Sequence, residues 1–324
     1  MKKIVIIGAG QLGSRHLQGI AQSEIDISVE VVEPFENSRE TAKQRYEEIK
    51  NNTHVQDINF YESIDKLSSK IDMAIVATSA DVRMSVVNEL LSSKDVDNLI
   101  LEKVLFQTIE EYSIVEELLE KTNTKCWVNH PRRMFPVYQE LKEKLKSATQ
   151  VSYNFQAGDW GLGCNGLHFI DHLAYLTDSS NLTLKNDGLD KKIYESKRKG
   201  FVEFNGLLVG KLDNHSFSLY SNSEVTPSIF TIVSDVLIAN IDEGAGIINI
   251  STKDNNWKSE TKKEKIVYFQ SELSNILIKD ILVDNYCSLP TYKEAMNLHI
   301  PYIKCLLNHM ENTTGQKHKL CPIT

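Results

Sequence analysis

The five cysteines of this 324-residue chain (Cys126, Cys164, Cys287, Cys305 and Cys321) include no C-x-x-C pair. Scattered and odd in number, they suggest neither a zinc knuckle nor a disulfide framework, and reduced thiols in the cytosol are the expected state. No apolar run approaches the roughly 20 residues needed to cross a bilayer. Lys2 and Lys3 before Ile4-Val5-Ile6-Ile7 imitate the start of a signal peptide, yet the apolar stretch stops at Gly8, too early for an export segment. Positive charge is in deficit: 36 Lys plus Arg face 44 Asp plus Glu, a formal net charge of -8. An acidic chain repels polyphosphate, which disfavours a main role in nucleic-acid binding. Internal repeats and low-complexity linkers are also missing. The expectation is a cytoplasmic protein with neither membrane nor nucleic acid as partner.

What is present is an ordinary globular mixture, 41% hydrophobic and 25% charged. At roughly 150 residues per domain the length fits two domains, each able to bury a core. Residues 3–7, 28–32, 72–78 and 98–102 read as buried strands. Helical stretches near 14–23, 40–50, 83–91 and 109–121 alternate with them. That alternation predicts an α/β fold with a doubly wound parallel sheet. After about residue 128 the pattern changes to period two, in 151–155, 215–220 and 247–251, as in antiparallel strands with one wet face. Turn residues separate them: Asn205-Gly206, Asp213-Asn214, Glu243-Gly244 and Lys253 to Asn256. Helices are predicted over about 166–176, 270–283 and 292–310. The expected division is a first domain over 1–128 and a second over 129–324.

Gly8-Ala9-Gly10-Gln11-Leu12-Gly13 matches G-x-G-x-x-G, directly after the first strand and opening the first helix. The glycines permit a tight turn, close approach of backbone to a pyrophosphate, and close packing of helix on strand. Glu33 ends the second strand about twenty residues after Gly13. A carboxylate there accepts from the adenosine ribose and repels a 2′-phosphate, pointing to NAD rather than NADP. Arg39 lies near enough in sequence to blur that preference. Thr78 and Ser79 end another strand at the ligand edge of the sheet. They are cofactor contacts, or Ser79 or Asp81 simply caps the next helix.

Glu102-Lys103 stands at the same edge, at the end of the fourth expected strand, 98–102. With it, Asn129 to Pro136, His168-Phe169-Ile170-Asp171 and Leu289 to Ala295 make the chain resemble the Gfo/Idh/MocA oxidoreductase family, named in part for glucose-fructose oxidoreductase and inositol dehydrogenase. The match spans most of the chain, with Val104 where the family's Glu-Lys-Pro has proline. The resemblance implies a Rossmann domain followed by an α+β domain with a large open, mainly antiparallel sheet. It implies a sugar, cyclitol or sugar-nucleotide substrate lying between that sheet and the nicotinamide. Lys103 is implied to bind the reacting hydroxyl and His168 to share the proton chemistry, with Glu102 and Lys103 also beside the cofactor. The family's aspartate four places before that histidine does not carry over, since Cys164 and then Asn165 stand there.

The chemistry of these residues agrees. Histidine titrates near neutral pH and moves a hydroxyl proton, and a lysine ammonium stabilises developing alkoxide. His168, Asp171, His172 and Tyr175 fall on one face of the expected helix, where Asp171 orients or caps. A core histidine remains the bland reading of His168. His168 and His172 are spaced as metal ligands are, but no third ligand accompanies them, so no metal is expected. Arg132 and Arg133 clamp a substrate phosphate or carboxylate, or are surface ion pairs. Trp160 and the glycines up to Gly166 form a loop at the sugar, with Trp160 stacking on it, or only a flexible connection. Cys164 is read as a structural thiol beside the site. The expected function is NAD-dependent hydride transfer at a sugar hydroxyl, more specifically in a sugar nucleotide or glycan precursor. An NAD-dependent glycosidase and a non-catalytic dinucleotide sensor are the alternatives. A homo-oligomer, dimer or tetramer, is expected through the exposed sheet face.

Overall fold

The computed structural model describes residues 1–49 and 53–324. The chain divides into two compact units, one made of 1–106, 110–131 and 268–293, the other of 107–109, 132–267 and 294–324. A single boundary after residue 128 lies close to the crossing at Pro131, but it misses the return of 268–293 to the first unit.

In the first unit β1 (Lys2–Ile7), α1 (Gln11–Ile20), β2 (Ile27–Val32), α2 (Glu36–Glu47), β3 (Val55–Tyr61), β4 (Lys70–Val76), α3 (Ala80–Ser93), β5 (Asp95–Glu102), α4 (Glu110–Thr122) and β6 (Lys125–Asn129) follow in turn. All strand pairs are parallel and the order is β3-β2-β1-β4-β5-β6. Ile4 to Ile7 and Met73 to Val76 are buried on both faces, which is why they read as continuous apolar runs rather than alternating ones. The connection reverses direction between β1 and β4, the position where open α/β sheets bind ligands. β3 was not anticipated: its polar Gln56, Asp57 and Asn59 belong to an edge strand.

The second unit contains α5 (Pro136–Leu145), β7 (Val151–Gly158), α6 (Leu162–Thr177), β8 (Leu182–Leu189), β9 (Tyr194–Glu195), β10 (Val202–Glu203), β11 (Gly206–Leu212), β12 (His215–Asn222), β13 (Ile229–Ser234), β14 (Leu237–Asp242), β15 (Ile247–Thr252) and β16 (Ser259–Lys263). Eight of its strands form one sheet, β16-β15-β14-β13-β7-β12-β11-β8, antiparallel throughout except for the parallel pair β7–β12. One face carries Tyr153, Phe155, Phe217 and Phe230 into the core, where Phe155 stacks on Phe169 of α6 at 3.9 Å. On the other face Ser152, Asn154, Ser218 and Thr231 are half-buried, and Ile229 and Val233 are exposed. The expected turns are in place. Asp213-Asn214 joins β11 to β12 with Asp213 at φ 52°, and residues 253–256 join β15 to β16.

α7 (Gln270–Leu282) packs on α1 in the first unit, so close that a Cβ on Gly19 would lie 2.8 Å from that of Ser274. α8 (Tyr292–Thr314) is the last helix. The helix expected from Gly166 begins four residues earlier, so the glycine-rich stretch is its first turn and not a flexible loop. Its glycines answer to tight packing: a Cβ on Gly166 would lie 2.5 Å from the Tyr302 hydroxyl oxygen. Among the described residues no helix is long and apolar enough to cross a membrane.

Candidate active site

Gly8, at the end of β1, takes φ +85°, and a Cβ there would meet Thr78 at 2.9 Å. A Cβ on Gly13 would collide with the Gly8 carbonyl oxygen at 1.8 Å, so α1 can approach β1 only with glycine at 13. Gly10 differs: a Cβ there meets nothing within 4 Å. Glycine at 10 therefore answers to no protein neighbour, but to open space. That space belongs to a cavity of about 580 Å³ lined by Gly8, Gly10, Glu33, Phe35, Thr78 and Ser79, among others. The first amides of α1, from Gln11, Leu12 and Gly13, have no partner within the helix, and its first turn holds no acid. These amides suit a pyrophosphate.

Glu33 lines the same cavity with both carboxylate oxygens anchored, Oε2 accepting from the Ala9 amide at 2.8 Å and Oε1 from the Phe35 amide at 3.1 Å. Each oxygen keeps a lone pair for a ribose hydroxyl. Arg39 donates to the carbonyls of Glu33 and Pro34 and to the Glu62 carboxylate, which fixes the loop after β2. Thr78 Oγ1 is buried at the cavity without a hydrogen-bond partner, and Ser79 begins α3 without a side-chain cap bond. Gln11 instead turns its amide oxygen to Arg45 at 2.8 Å. The donors, the open glycine and the unsatisfied hydroxyl fit a dinucleotide.

At the same carboxyl edge of the sheet, on the strand next to β4, Glu102 is buried and Lys103, next to it, is half-buried. The peptide joining Lys103 to Val104 is cis. Glu102 does not point to open space; it belongs to a buried polar ring. Its Oε1 accepts from Asn129 Nδ2 at 2.6 Å and meets His16 Nε2 at 2.8 Å. His16 Nδ1 contacts Ser274 Oγ at 2.9 Å, and Gln270 bonds both Ser274 and Asn129. Burial opposes the charge of Glu102, yet the bonds from His16 and Asn129 prevail and hold its carboxyl below the usual range. Arg83, also buried, donates to the carbonyls of Val104, Leu105 and Thr78. One guanidinium thus fixes the loop after Lys103 and the loop after β4. Sequence reading missed His16, Ser274, Gln270 and Arg83. The one local signal was the histidine three places after Gly13.

In the second unit, α6 presents a half-exposed stripe at Cys164, Asn165, His168 and Tyr175. The helix therefore brings His168 together with the two residues standing where the missing aspartate was sought. Asp171 and His172 do not belong to that stripe; both are fully buried. Asp171 is clasped by Arg133, with Nε at 2.9 Å and Nη2 at 2.7 Å, and Arg132 pairs with Glu243 at 2.7 Å while covering the Phe169 ring at 4.4 Å. The expectation that Arg132, Arg133, Asp171 and His172 face substrate is corrected accordingly, because each of the two guanidiniums already has an interior carboxylate. Trp160 is likewise engaged, edge-on to Phe155 at 5.0 Å and donating its indole N–H to the Tyr220 carbonyl at 2.8 Å. Asn165 Nδ2 donates to the Trp160 carbonyl at 2.7 Å.

Burial, reinforced by Arg132 and Arg133, pushes His172 well below its ordinary 6.5. Its Nδ1 meets the Tyr153 hydroxyl at 2.9 Å, and its Nε2 is buried without a hydrogen-bond partner. Below about pH 6.5 the unfolded chain takes up a proton that the folded chain refuses, so stability present above that pH is lost on acidification. Denaturation midpoints measured from about pH 7.5 down to about pH 5 are expected to fall, and to fall less steeply in His172→Phe. Parallel slopes in the two proteins would contradict this assignment.

Residues 2–130 match the model of the Gfo/Idh/MocA family, described as an oxidoreductase family with an NAD-binding Rossmann fold. This is a Gfo/Idh/MocA nucleotide-binding domain. Solved structures extend the likeness of fold over nearly the whole chain. UDP-N-acetylglucosamine 3-dehydrogenase from Acidithiobacillus ferrooxidans superposes with a TM-score of 0.68 at 14% identity, covering 94% of this chain and 96% of that one. An oxidoreductase from Agrobacterium radiobacter, solved with NAD+, L-tartaric acid and magnesium, gives 0.73 at 10% identity, covering 97% of each chain. Biliverdin reductase from Synechocystis, solved with biliverdin and NADP+, gives 0.68 at 11%, covering 94% of this chain and 98% of that one. No curated protein sequence matches the chain. The glycine crevice lies within the residues that match this NAD-binding family model.

Proposed function

We propose that the protein is an NAD-dependent oxidoreductase that moves hydride to or from a hydroxyl-bearing carbon of a sugar, in a sugar nucleotide or similar glycan precursor. The observation carrying this reading is Lys103, half-buried at the end of β5 directly after the ring-bound Glu102. The bound nicotinamide supplies the hydride acceptor. Lys103 polarises the substrate oxygen and stabilises negative charge developing on it. His168 exchanges the hydroxyl proton, and Cys164 and Asn165 share its accessible stripe. NAD is preferred over NADP because a 2′-phosphate would meet the Glu33 carboxylate, while Arg39 is committed to the loop beneath it.

Self-association through the sheet of the second unit belongs to the same proposal. Ile229 and Val233 are exposed there beside the half-buried Ser152, Asn154 and Ser218. The five cysteines, none of them in a disulfide, suit a reducing compartment, in keeping with a cytoplasmic enzyme.

The test is absorbance at about 340 nm with NAD or NADP against free sugars, cyclitols and nucleotide sugars. Lys103→Ala and His168→Ala are each expected to lose roughly 10²-fold in rate. Full activity in either variant removes that residue from the mechanism. Bound dinucleotide with no turnover on any substrate would favour a sensor.

A further inference from the structure

The helix that carries His168 begins without the usual means of satisfying its first amides. Its N-cap is Gly161, at φ +75° and with no side chain, and its first turn contains no acid. The anion comes from elsewhere in the second unit. Glu203, at the end of β10, accepts from the Gly163 amide at 2.7 Å through Oε2 and from the Cys164 amide at 3.2 Å through Oε1. Its Oε2 also lies 3.4 Å from the amide of Phe204.

Glycine lets the backbone of this turn close tightly on the carboxylate. A Cβ on Gly163 would lie 2.8 Å from Oε2, and one on Gly161 would lie 3.0 Å from Oε1. The carbonyl side of the same turn is held by buried Tyr302, whose hydroxyl donates to Leu162 O at 2.6 Å and lies 3.1 Å from Gly163 O. β10 is itself anchored, with the Val202 amide donating to the Pro322 carbonyl at 2.8 Å. A carboxylate thus meets the positive end of α6 at the third helical position, where the chain carries cysteine. Acids in the first turn complement the helix dipole, and they do so whichever element supplies them.

We infer that Glu203 is a positioning residue for the half-exposed stripe of α6, holding Cys164, Asn165 and His168 in place through the amides of Gly163 and Cys164. The inference rests on the proposed part of His168 in proton exchange. Glu203 needs no contact with substrate to act in this way. Its charge and reach set where the first turn of α6 sits, and His168 follows one turn later.

The experiment compares wild type, Glu203→Gln, and Glu203→Gln combined with Cys164→Asp, which restores an acid at the third helical position. Amide exchange at Gly163 and Cys164 in the intact protein reads the clamp without any substrate. Exchange is expected to quicken about 10-fold or more in Glu203→Gln and to return toward wild type in the double variant. In turnover, kcat is expected to fall about 10-fold in Glu203→Gln with KM and NAD affinity within about two-fold, the double variant being read by amide exchange alone because position 164 lies on the stripe itself. Unchanged exchange at both amides overturns the inference. So does a kcat loss in Glu203→Gln that is shared equally by KM and NAD affinity. If wild type turns over no substrate, the hydride-transfer reading fails, and amide exchange alone decides the clamp.

Discussion

Gly10→Val is expected to weaken NAD binding by about 10³-fold or more while leaving the melting temperature of the protein alone nearly unchanged. Gly10 starts α1 from φ -63° and ψ -153°, a conformation any residue adopts, and a Cβ there meets no protein atom within 4 Å. The folded chain therefore accepts a side chain. A bound dinucleotide does not, because the added methyls fill the space through which the pyrophosphate reaches the amides of α1. Roughly 4 kcal/mol of lost affinity corresponds to that factor. Titration calorimetry with NAD and thermal melting of the unliganded protein separate the two effects. A variant that binds as wild type does would place the dinucleotide elsewhere. One that also melts far lower would show that Gly10 is structural after all, as Gly8 and Gly13 are.

The second large effect belongs to stability. Asp171→Ala is expected to cost about 3–5 kcal/mol, because it leaves the Arg133 guanidinium charged and buried without its partner. Both groups lie in the interior, Asp171 at 0% exposure and Arg133 at 9%. Burial opposes the charge of Arg133, and the facing carboxylate outweighs it and keeps the guanidinium's pKa above its ordinary value. For a protein of this size the loss lowers the melting temperature by about 4–7 °C. Replacing both partners, as Asp171→Leu with Arg133→Met, is expected to recover most of it, since neither charge then needs compensation. A single variant as stable as wild type would mean that the pair contributes little. A double variant no better than the single would mean that the clasp itself, beyond mutual neutralisation, holds α6.

These two sites mark what could be read from the chain and what could not. Gly8 to Gly13 and Glu33 were legible because their chemistry is local: a strand end, a turn, a helix start and one acid at a fixed offset. Lys103 stood out only through the resemblance of Glu102-Lys103 to a family motif, since a lysine after a strand is by itself an ordinary loop residue. The ring around Glu102 was not, since His16 lies 86 residues away and reaches Ser274 across 258 residues. Asp171 and His172 were misplaced for a different reason. Helical spacing tells which residues share a face, but not whether an arginine from a preceding segment is waiting opposite. The start of α6 was missed because glycines at 161, 163 and 166 look like slack in a one-dimensional string. In three dimensions they are contact points for Glu203 and Tyr302. Glu203 itself carries no motif at all.

The return of α7 to the nucleotide-binding unit has a consequence for how that unit is made. Ser274 and Gln270 satisfy His16 and Asn129, so the interior around Glu102 stays incomplete until some 270 residues have left the ribosome. A nascent chain holding only the six parallel strands would expose an unsealed polar hollow and the small-residue surface of α1. The cofactor-binding half, although written first, is finished among the last, and its assembly waits on a segment translated after the entire second sheet.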